Sequence, residues 1–488
     1  MTRPRIVPTP ARRRALVAVV LPLAAGACDL GPDYQRPETP VPRTWNTAAQ
    51  GAEAAWPASE WWRSFGSPRL NALIAEARSS NTDLAAATAR VRQADAQARI
   101  AGAPLLPSVG ATIDAGPQRL LNNIGRERHY TRFDGLIQAS YEIDFWGKNR
   151  AALDSAEASA SASRYDWQVV SLTITTSVAT TYFQALGLQD QLRVARDNLA
   201  RAQRDLDGLM QQQQRGLIPQ LAVVQQQTVV DGLAAAIPPL EQQLAATRDA
   251  LAILVGKLPE EMTLPSESLL DLSVPAVGPG LPSELLLRRP DVQQAEAQLV
   301  AANANIKVAR AQFFPSFGLN AGGGVTSILL ANGATPVSGV YSIFGSITQP
   351  IFEGGKLTGQ LEFSKARYDE LVQDYRKAAL SAYGDVEDAL AATRFTADQQ
   401  AEQRKARDSA RRAYQMSLDA FHGGTATILS VLVSESALFS AENALVQARL
   451  AHMQALVSLF RALGGGWQAC AGSPVHDAAP LCSEAGTG

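Results

Sequence analysis

The chain has 488 residues, of which 46% are hydrophobic and 18% charged, with 36 Gly and a formal net charge of −2. Such a composition can bury a large apolar surface and excludes a disordered polyampholyte. Beyond residue 27, 39 basic residues stand against 46 acidic ones, so there is no basic excess to suggest a nucleic-acid partner.

In chain order, Arg3, Arg5 and Arg12 to Arg14 precede an apolar run from Ala15 to Ala27. The run is too short to span a bilayer and reads as an export signal over residues 1–27. It ends in small residues directly before Cys28, which is similar to a bacterial lipoprotein signal and predicts a covalent lipid on Cys28. Ala25 stands where Leu is usual, and an ordinary cleavage site is the alternative. Asp29 follows, which in enteric bacteria resembles an inner-membrane retention signal. The other two cysteines, Cys470 and Cys482, fall in a tail of residues 467–488, where they either pair or stay free thiols.

Residues 28–60 are rich in Pro, Thr and Glu and read as an extended arm. From Trp61, Leu70, Leu73, Ile74 and Ala77 share one helical face, and Asn81 can cap a second helix that runs to about Ile100. The period then changes to two. Val109, Ala111, Ile113 and Ala115 alternate with polar residues, as do Phe133, Ile137, Ala139, Tyr141 and Ile143, predicting strands at about 104–116 and 131–146. Leu120 to Tyr130 between them reads as a solvated loop.

Next comes a proline-free helical stretch from about Lys148 to Arg215, on the order of 100 Å long. A turn at Gly216 leads to a return helix from about Gln220 to Val255, which Pro238 and Pro239 should bend or break. A linker over 257–282 follows, and the pattern restarts. Asp83 corresponds to Asp291, Pro107 to Pro315, Gly147 to Gly354, Gly216 to Gly424 and Gly256 to Gly464, at offsets of 207 or 208 residues. A constant offset is the mark of an internal duplication, with repeats over 61–256 and 283–466. The second repeat carries strands at about 313–326 and 337–352 and a long hairpin over 355–463, whose first helix spans about Lys356 to His422.

Four amphipathic strands cannot close a membrane barrel, so several chains must contribute to one. Phe145, Trp146, Phe313, Phe314 and Phe352 cluster near the strand ends as an interfacial girdle would. Enzyme readings find little support: the four His have no metal-site spacing, and Gly354-Gly355-Lys356 suits a strand-to-helix turn better than a phosphate loop. No cofactor beyond the lipid is expected.

Six motifs carry a resemblance over about residues 28–466. They are Gly31-Pro-Asp-Tyr-Gln-Arg-Pro37, Trp61-Trp-Arg-Ser-Phe65, Ile237-Pro-Pro-Leu-Glu241, Gly280-Leu-Pro-Ser-Glu-Leu285, Arg288-Arg-Pro-Asp-Val292 and Phe313-Phe-Pro-Ser316. Together they resemble the TolC-like outer-membrane efflux proteins, in particular the lipoprotein branch paired with resistance-nodulation-division pumps. The resemblance implies an α+β membrane protein and a homotrimer. Four strands per chain would form a twelve-stranded β-barrel among outer-membrane lipids, continuous with a periplasmic α-helical barrel. It implies a passive export duct for small molecules. The hairpin tips, Gly216, Leu217 and Ile218 with Gly424, Thr425, Thr427 and Ile428, would dock a periplasmic adaptor linked to an inner-membrane transporter. Relatives often place acidic residues after each tip. Here the corresponding positions are Ala222 and Ser430, with Val433 a turn further and Phe421 at a common aromatic position, so the aperture is expected to close by apolar packing. An acidic ring at Asp419 or Glu435 is the alternative. The rival functions are an outer-membrane component for protein secretion and a non-channel periplasmic coiled-coil lipoprotein scaffold.

Overall fold

The computed structural model describes residues 30–42, 44–46, 56–121, 127–278, 280, 282–330 and 333–465. Cys28, Asp29, Cys470, Cys482 and the loop residues Asn122, Asn123 and Gly125 lie outside the described residues. Two helices, α1 (Pro68–Ser80) and α2 (Thr82–Gly102), lead into strands β1 (Ser108–Leu121) and β2 (Glu127–Ile143). A long hairpin follows, α3 (Lys148–Gln214) and α4 (Gln220–Leu254). The second half repeats the order with α5 (Pro282–Arg288), α6 (Pro290–Ala311), β3 (Ser316–Leu330), β4 (Gly333–Ala334), β5 (Ser338–Thr348), α7 (Lys356–His422) and α8 (Ile428–Ala462). Both α3 and α7 have 67 residues, and both α4 and α8 have 35.

Local chemistry sets the helix ends. The Ser67 side chain accepts from the Leu70 amide, and the Asn81 side chain accepts from the Asp83 and Leu84 amides, each satisfying exposed donors of a first turn. At the other end, α3, α4, α7 and α8 all stop in the same way. Gly216, Gly256, Gly424 and Gly464 have positive φ, and the next residue's amide bonds back five residues, as Leu217 does to Gln212 at 3.0 Å and Thr425 to Ala420 at 2.9 Å. Glycine takes this left-handed position without the clash that a Cβ causes.

The two halves also match in how the short helices meet the hairpins. The Asn81 amide group donates to the Leu254 carbonyl at 2.9 Å, and Arg289, 208 residues later, donates to the Ala462 carbonyl at 3.3 Å. Beside these bonds a Cβ on Gly256 would strike the Ser80 carbonyl, and one on Gly464 the Arg288 carbonyl. Two cores gather around the junctions. In the first, Trp61 stacks on Phe460 at 4.7 Å and Phe65 packs edge-on to Phe183 at 4.9 Å; the second holds Trp45, Leu285, Val292, Tyr375 and Tyr383. The arm binds alongside, with Arg36 forking onto Glu296 at 2.7 Å and Trp45 donating to the Gly280 carbonyl at 3.0 Å.

The strands form an antiparallel sheet in the order β1-β2-β3-β5, with the two-residue β4 also paired to β3. Among the described residues, β1 and β5 each keep one unpaired edge. Two expectations need correction. Of the stretch Leu120 to Tyr130, the described residues Leu120, Leu121 and Glu127 to Tyr130 are strand, since pairing runs out to Leu121 opposite Glu127, with a Tyr130–Gln118 hydrogen bond of 2.9 Å and an Arg119–Glu127 ion pair. Ladder bonds need only backbone, and cross-strand polar pairs support a ribbon that has no apolar alternation to reveal it. Of the bend or break expected at Pro238 and Pro239, the break does not occur, and α4 runs on through both. The residues four positions before them, Ala234 and Ala235, are exposed, so the carbonyls that lose their partners face solvent rather than a dry core.

Alanine at Gly256 or Gly464 should therefore combine left-handed strain with backbone collision. Each substitution is expected to destabilise the protein by about 1–3 kcal/mol, read as a lowered thermal unfolding midpoint. Alanine at Gly208, where a Cβ meets nothing within 4 Å, is the control.

Candidate functional site

Strand period and register divide the sheet into two faces. One carries Val109 and Ile113 of β1, Ile137 of β2, Leu319 and Val325 of β3, and Tyr341, Ile343 and Ile347 of β5. Within the chain these residues are exposed, Tyr341 at 89%, Ile113 at 87% and Ile343 at 75%. An apolar face of that extent is not left in water by a soluble protein. The opposite face carries Ser108, Thr112, Asp114, Gln138, Asn320, Thr326, Ser342 and Ser346. On it Asp134 accepts from Thr326 at 2.6 Å and from Arg132 at 2.8 Å. Val340 and Phe344 interrupt this polar face from β5, which the serine alternation did not suggest.

At the helix-proximal end of the sheet, Trp146 ties the strands together. Its ring lies 4.8 Å from Phe145 and 4.7 Å from Phe314, and its Nε1 donates to the Pro315 carbonyl at 2.8 Å. Phe145 also meets Phe317 at 5.8 Å, a ring absent from the sequence-predicted girdle. Phe313 is 37% exposed and Phe352 88% exposed. Just beyond, the Asp144 carboxylate accepts from the Asn149 and Arg150 amides at the start of α3, and Lys148 pairs with Glu142 at 2.5 Å.

The tips lie at the far ends of α3 and α7. Gly216 and Gly424 make the turns, Leu217 is exposed, Ile218 and Ile428 are half-buried, and Thr425 donates to the Ala420 carbonyl at 3.1 Å. Thr427 Oγ1 lies 3.3 Å from Ser430 Oγ. The four expected aperture residues separate into two pairs. Ala222 is 3% exposed inside the first hairpin, and Phe421 packs against the Tyr414, Val431 and Leu438 cluster of the second. Ser430 and Val433 stay exposed, with Leu221, Val224 and Leu429 on the same turns. Of the alternative acids, Asp419 is exposed but Glu435 is 1% exposed. Burial, then the nearby Asp205, pushes the Glu435 carboxyl up to about 7. In the sequence Ser434 and Ser436 flank Glu435, and an acid between two serines after a tip reads as a surface position although the rest of the helix is apolar.

Among the described residues no group of three His, Cys, Asp or Glu side chains is placed to hold a metal. α8 is long and apolar enough to cross a membrane by composition. It packs instead along α7 and α3, where Leu438, Val446, Met453 and Phe460 are buried.

The model of the outer membrane efflux protein family matches this chain twice, over residues 73–257 and 281–465. The pyoverdine export outer membrane protein OpmQ of Pseudomonas putida is 41% identical over 438 residues, covering 88% of this chain and 92% of that protein. The cation efflux system protein CusC of Escherichia coli K12 is 31% identical over 458 residues, covering 92% and 99%. Among solved structures, the outer-membrane channel OprN superposes with a TM-score of 0.82 at 27% identity, covering 91% of this chain and 100% of that one. The Neisseria gonorrhoeae MtrE outer membrane channel in its open state gives 0.82 at 28% identity, covering 90% and 99%. The two-faced sheet, the long hairpins and these likenesses agree, and the chain belongs to the outer membrane efflux protein family as an outer-membrane efflux channel subunit.

Proposed function

We propose that three copies of the chain close their four-stranded sheets into one twelve-stranded barrel, and that the hairpins of all three stand beneath it as a periplasmic tunnel. The observation that carries this reading is the open sheet itself, with one apolar face and two unpaired edges. In hydrocarbon every backbone donor and acceptor needs a partner, so an edge strand must find another strand. Bringing β5 of one copy against β1 of the next supplies it, and the apolar face then meets lipid while the Ser, Thr, Asn and Asp face lines the lumen. The matching turns and junctions at a 208-residue spacing support an internal duplication, which gives the tunnel wall six similar hairpins.

In this reading the chain is a passive duct within a tripartite system. An inner-membrane resistance-nodulation-division transporter supplies the energy and delivers small molecules, and a periplasmic adaptor docks at the tips around Gly216 and Gly424. The relatives' names cover pyoverdine, cations and toluene, a spread that suits a duct whose cargo is chosen by the pump. The apolar residues Leu217, Leu221, Val224 and Leu429 give the adaptor an apolar docking surface, and Ser430 and Val433 border the mouth. Cys28 carries the lipid anchor, a reading supported by a named outer membrane lipoprotein relative, SilC.

Three outcomes test these parts. Arginine at Ile343, on the apolar face, should cost about 2–4 kcal/mol of insertion and deplete assembled protein from the outer membrane, whereas arginine at Ser342, one residue away on the polar face, should assemble normally; membrane fractionation decides. The purified protein should conduct in planar bilayers, and Val433→Asp should shift its reversal potential towards cation selectivity, because a carboxylate ring at the mouth attracts cations. An unchanged reversal potential would remove Val433 from the mouth. Mass spectrometry of the mature N-terminus should find a lipid on Cys28 that disappears in Cys28→Ala.

A further inference from the structure

The two hairpins meet in a polar layer ten or eleven residues from Gly216 and Gly424, roughly 15 Å above the tips. Asp205 of α3, Gln226 of α4, Tyr414 of α7 and Glu435 of α8 bring one side chain from each helix. Glu435 is 1% exposed, and neither of its carboxyl oxygens has a donor among the described residues. Gln226 is also 1% exposed; its Nε2 donates to the Ala202 carbonyl at 3.0 Å, while its Oε1 has no donor. The Gln226 amide stands beside the Glu435 carboxyl. A buried carboxyl and a buried amide oxygen that both lack a donor are a costly pair of neighbours, and worse if the carboxyl bears a charge. A single proton on Glu435 changes this, making it a donor with the Gln226 amide oxygen as acceptor. We propose that Glu435, protonated and hydrogen-bonded to Gln226, is a latch joining the second hairpin to the first, and that loss of its proton loosens the tips.

The charges around the layer favour this assignment. On α3, the Arg201 guanidinium donates to Glu442 of α8 at 2.9 Å, and Arg411 of α7 donates to the other oxygen of Glu442 at 3.2 Å, so these cations already serve a different carboxylate. Asp205 accepts from the Tyr414 hydroxyl at 3.3 Å. Burial raises Asp205 as well, against that hydrogen bond and the fields of Arg204, His422 and Arg201. Burial, then the Asp205 charge, lifts Glu435 from the usual 4.5 to about 7, against the Gln226 amide and the Arg201 charge, which favour the carboxylate. A carboxyl raised on folding strengthens the folded contact most below its unfolded value of 4.5, and the contribution is lost as pH rises through about 7. Above that point a buried carboxylate and a half-buried one share the layer between hairpins, and separating the hairpins relieves both.

The experiment uses the assembled protein in its own lipids. Infrared difference spectra should show a protonated-carboxyl band at about pH 6 that titrates away with a midpoint near pH 7 and is missing from Glu435→Gln. Amide exchange of segments 206–226 and 414–435, corrected for intrinsic rates, should quicken severalfold between about pH 5 and about pH 8 in the native protein and stay at its slow level in Glu435→Gln. A band that survives in Glu435→Gln, its absence from the native protein at about pH 6, or tip exchange that follows pH equally in both proteins would overturn the latch. Neither readout needs ion flow, so such a failure leaves the channel reading standing. Should Glu435→Gln not assemble, the band and its midpoint in the native protein decide.

Discussion

Hydrogen bonding of the backbone in hydrocarbon is the constraint on which the rest of this molecule turns. The sheet presents apolar side chains on one face and leaves the outer edges of β1 and β5 unpaired among the described residues. In water the exposed Tyr341, Ile343 and Ile347 would drive aggregation, and in lipid the bare edges would each forfeit several hydrogen bonds. The sheet of one chain therefore leaves backbone groups on its outer edges that a membrane does not satisfy. The aromatic knot of Phe145, Trp146, Phe314 and Phe317 sits where that sheet hands over to helices, fixing the angle between two parts with different solvents.

Below the sheet the problem is reversed. Helices of 67 residues satisfy their own backbone along their length and need partners only at their ends and along their apolar stripes. Glycine in the left-handed conformation closes the last turn at Gly216, Gly256, Gly424 and Gly464, and at two of these the neighbouring carbonyl comes too close for any side chain. The same geometry thus recurs at both junctions with different partners, Asn81 reaching one helix end and Arg289 the other. A neutral amide and a guanidinium perform the same capping task because both present N–H groups to a terminal carbonyl.

Near the tips the two hairpins differ more. Tyr414 of the second occupies the position of Leu206 in the first, and Glu435 that of Gln227. These exchanges place an acid, a phenol and an amide between hairpins whose outer tip surfaces are apolar. Carboxylates are absent from the exposed Ser430 and Val433 positions, while a buried carboxyl stands one and a half turns inward at Glu435.

Much of this was legible in residues taken one at a time. Period-two alternation at Val109 to Ala115 and Phe133 to Ile143, the proline-free runs ending at Gly216 and Gly424, and the 208-residue spacing all report backbone geometry, which side-chain order along the chain records directly. The extent of the first strand past Gly116 was hidden because ladder bonds leave no trace in side-chain polarity, and the continuity of α4 through Pro238 was hidden because solvent access to two carbonyls is a property of the packed helix. The same holds for the tips. Ala222 and Val433 look alike as small apolar residues after a turn, yet one is buried and the other exposed; Glu435 and Asp419 look alike as helix-surface acids, yet one is buried among four helices. Periodicity tells which residues share a face. Which faces meet, and therefore which carboxyl loses its water and holds a proton, was decided only when α3, α4, α7 and α8 packed together.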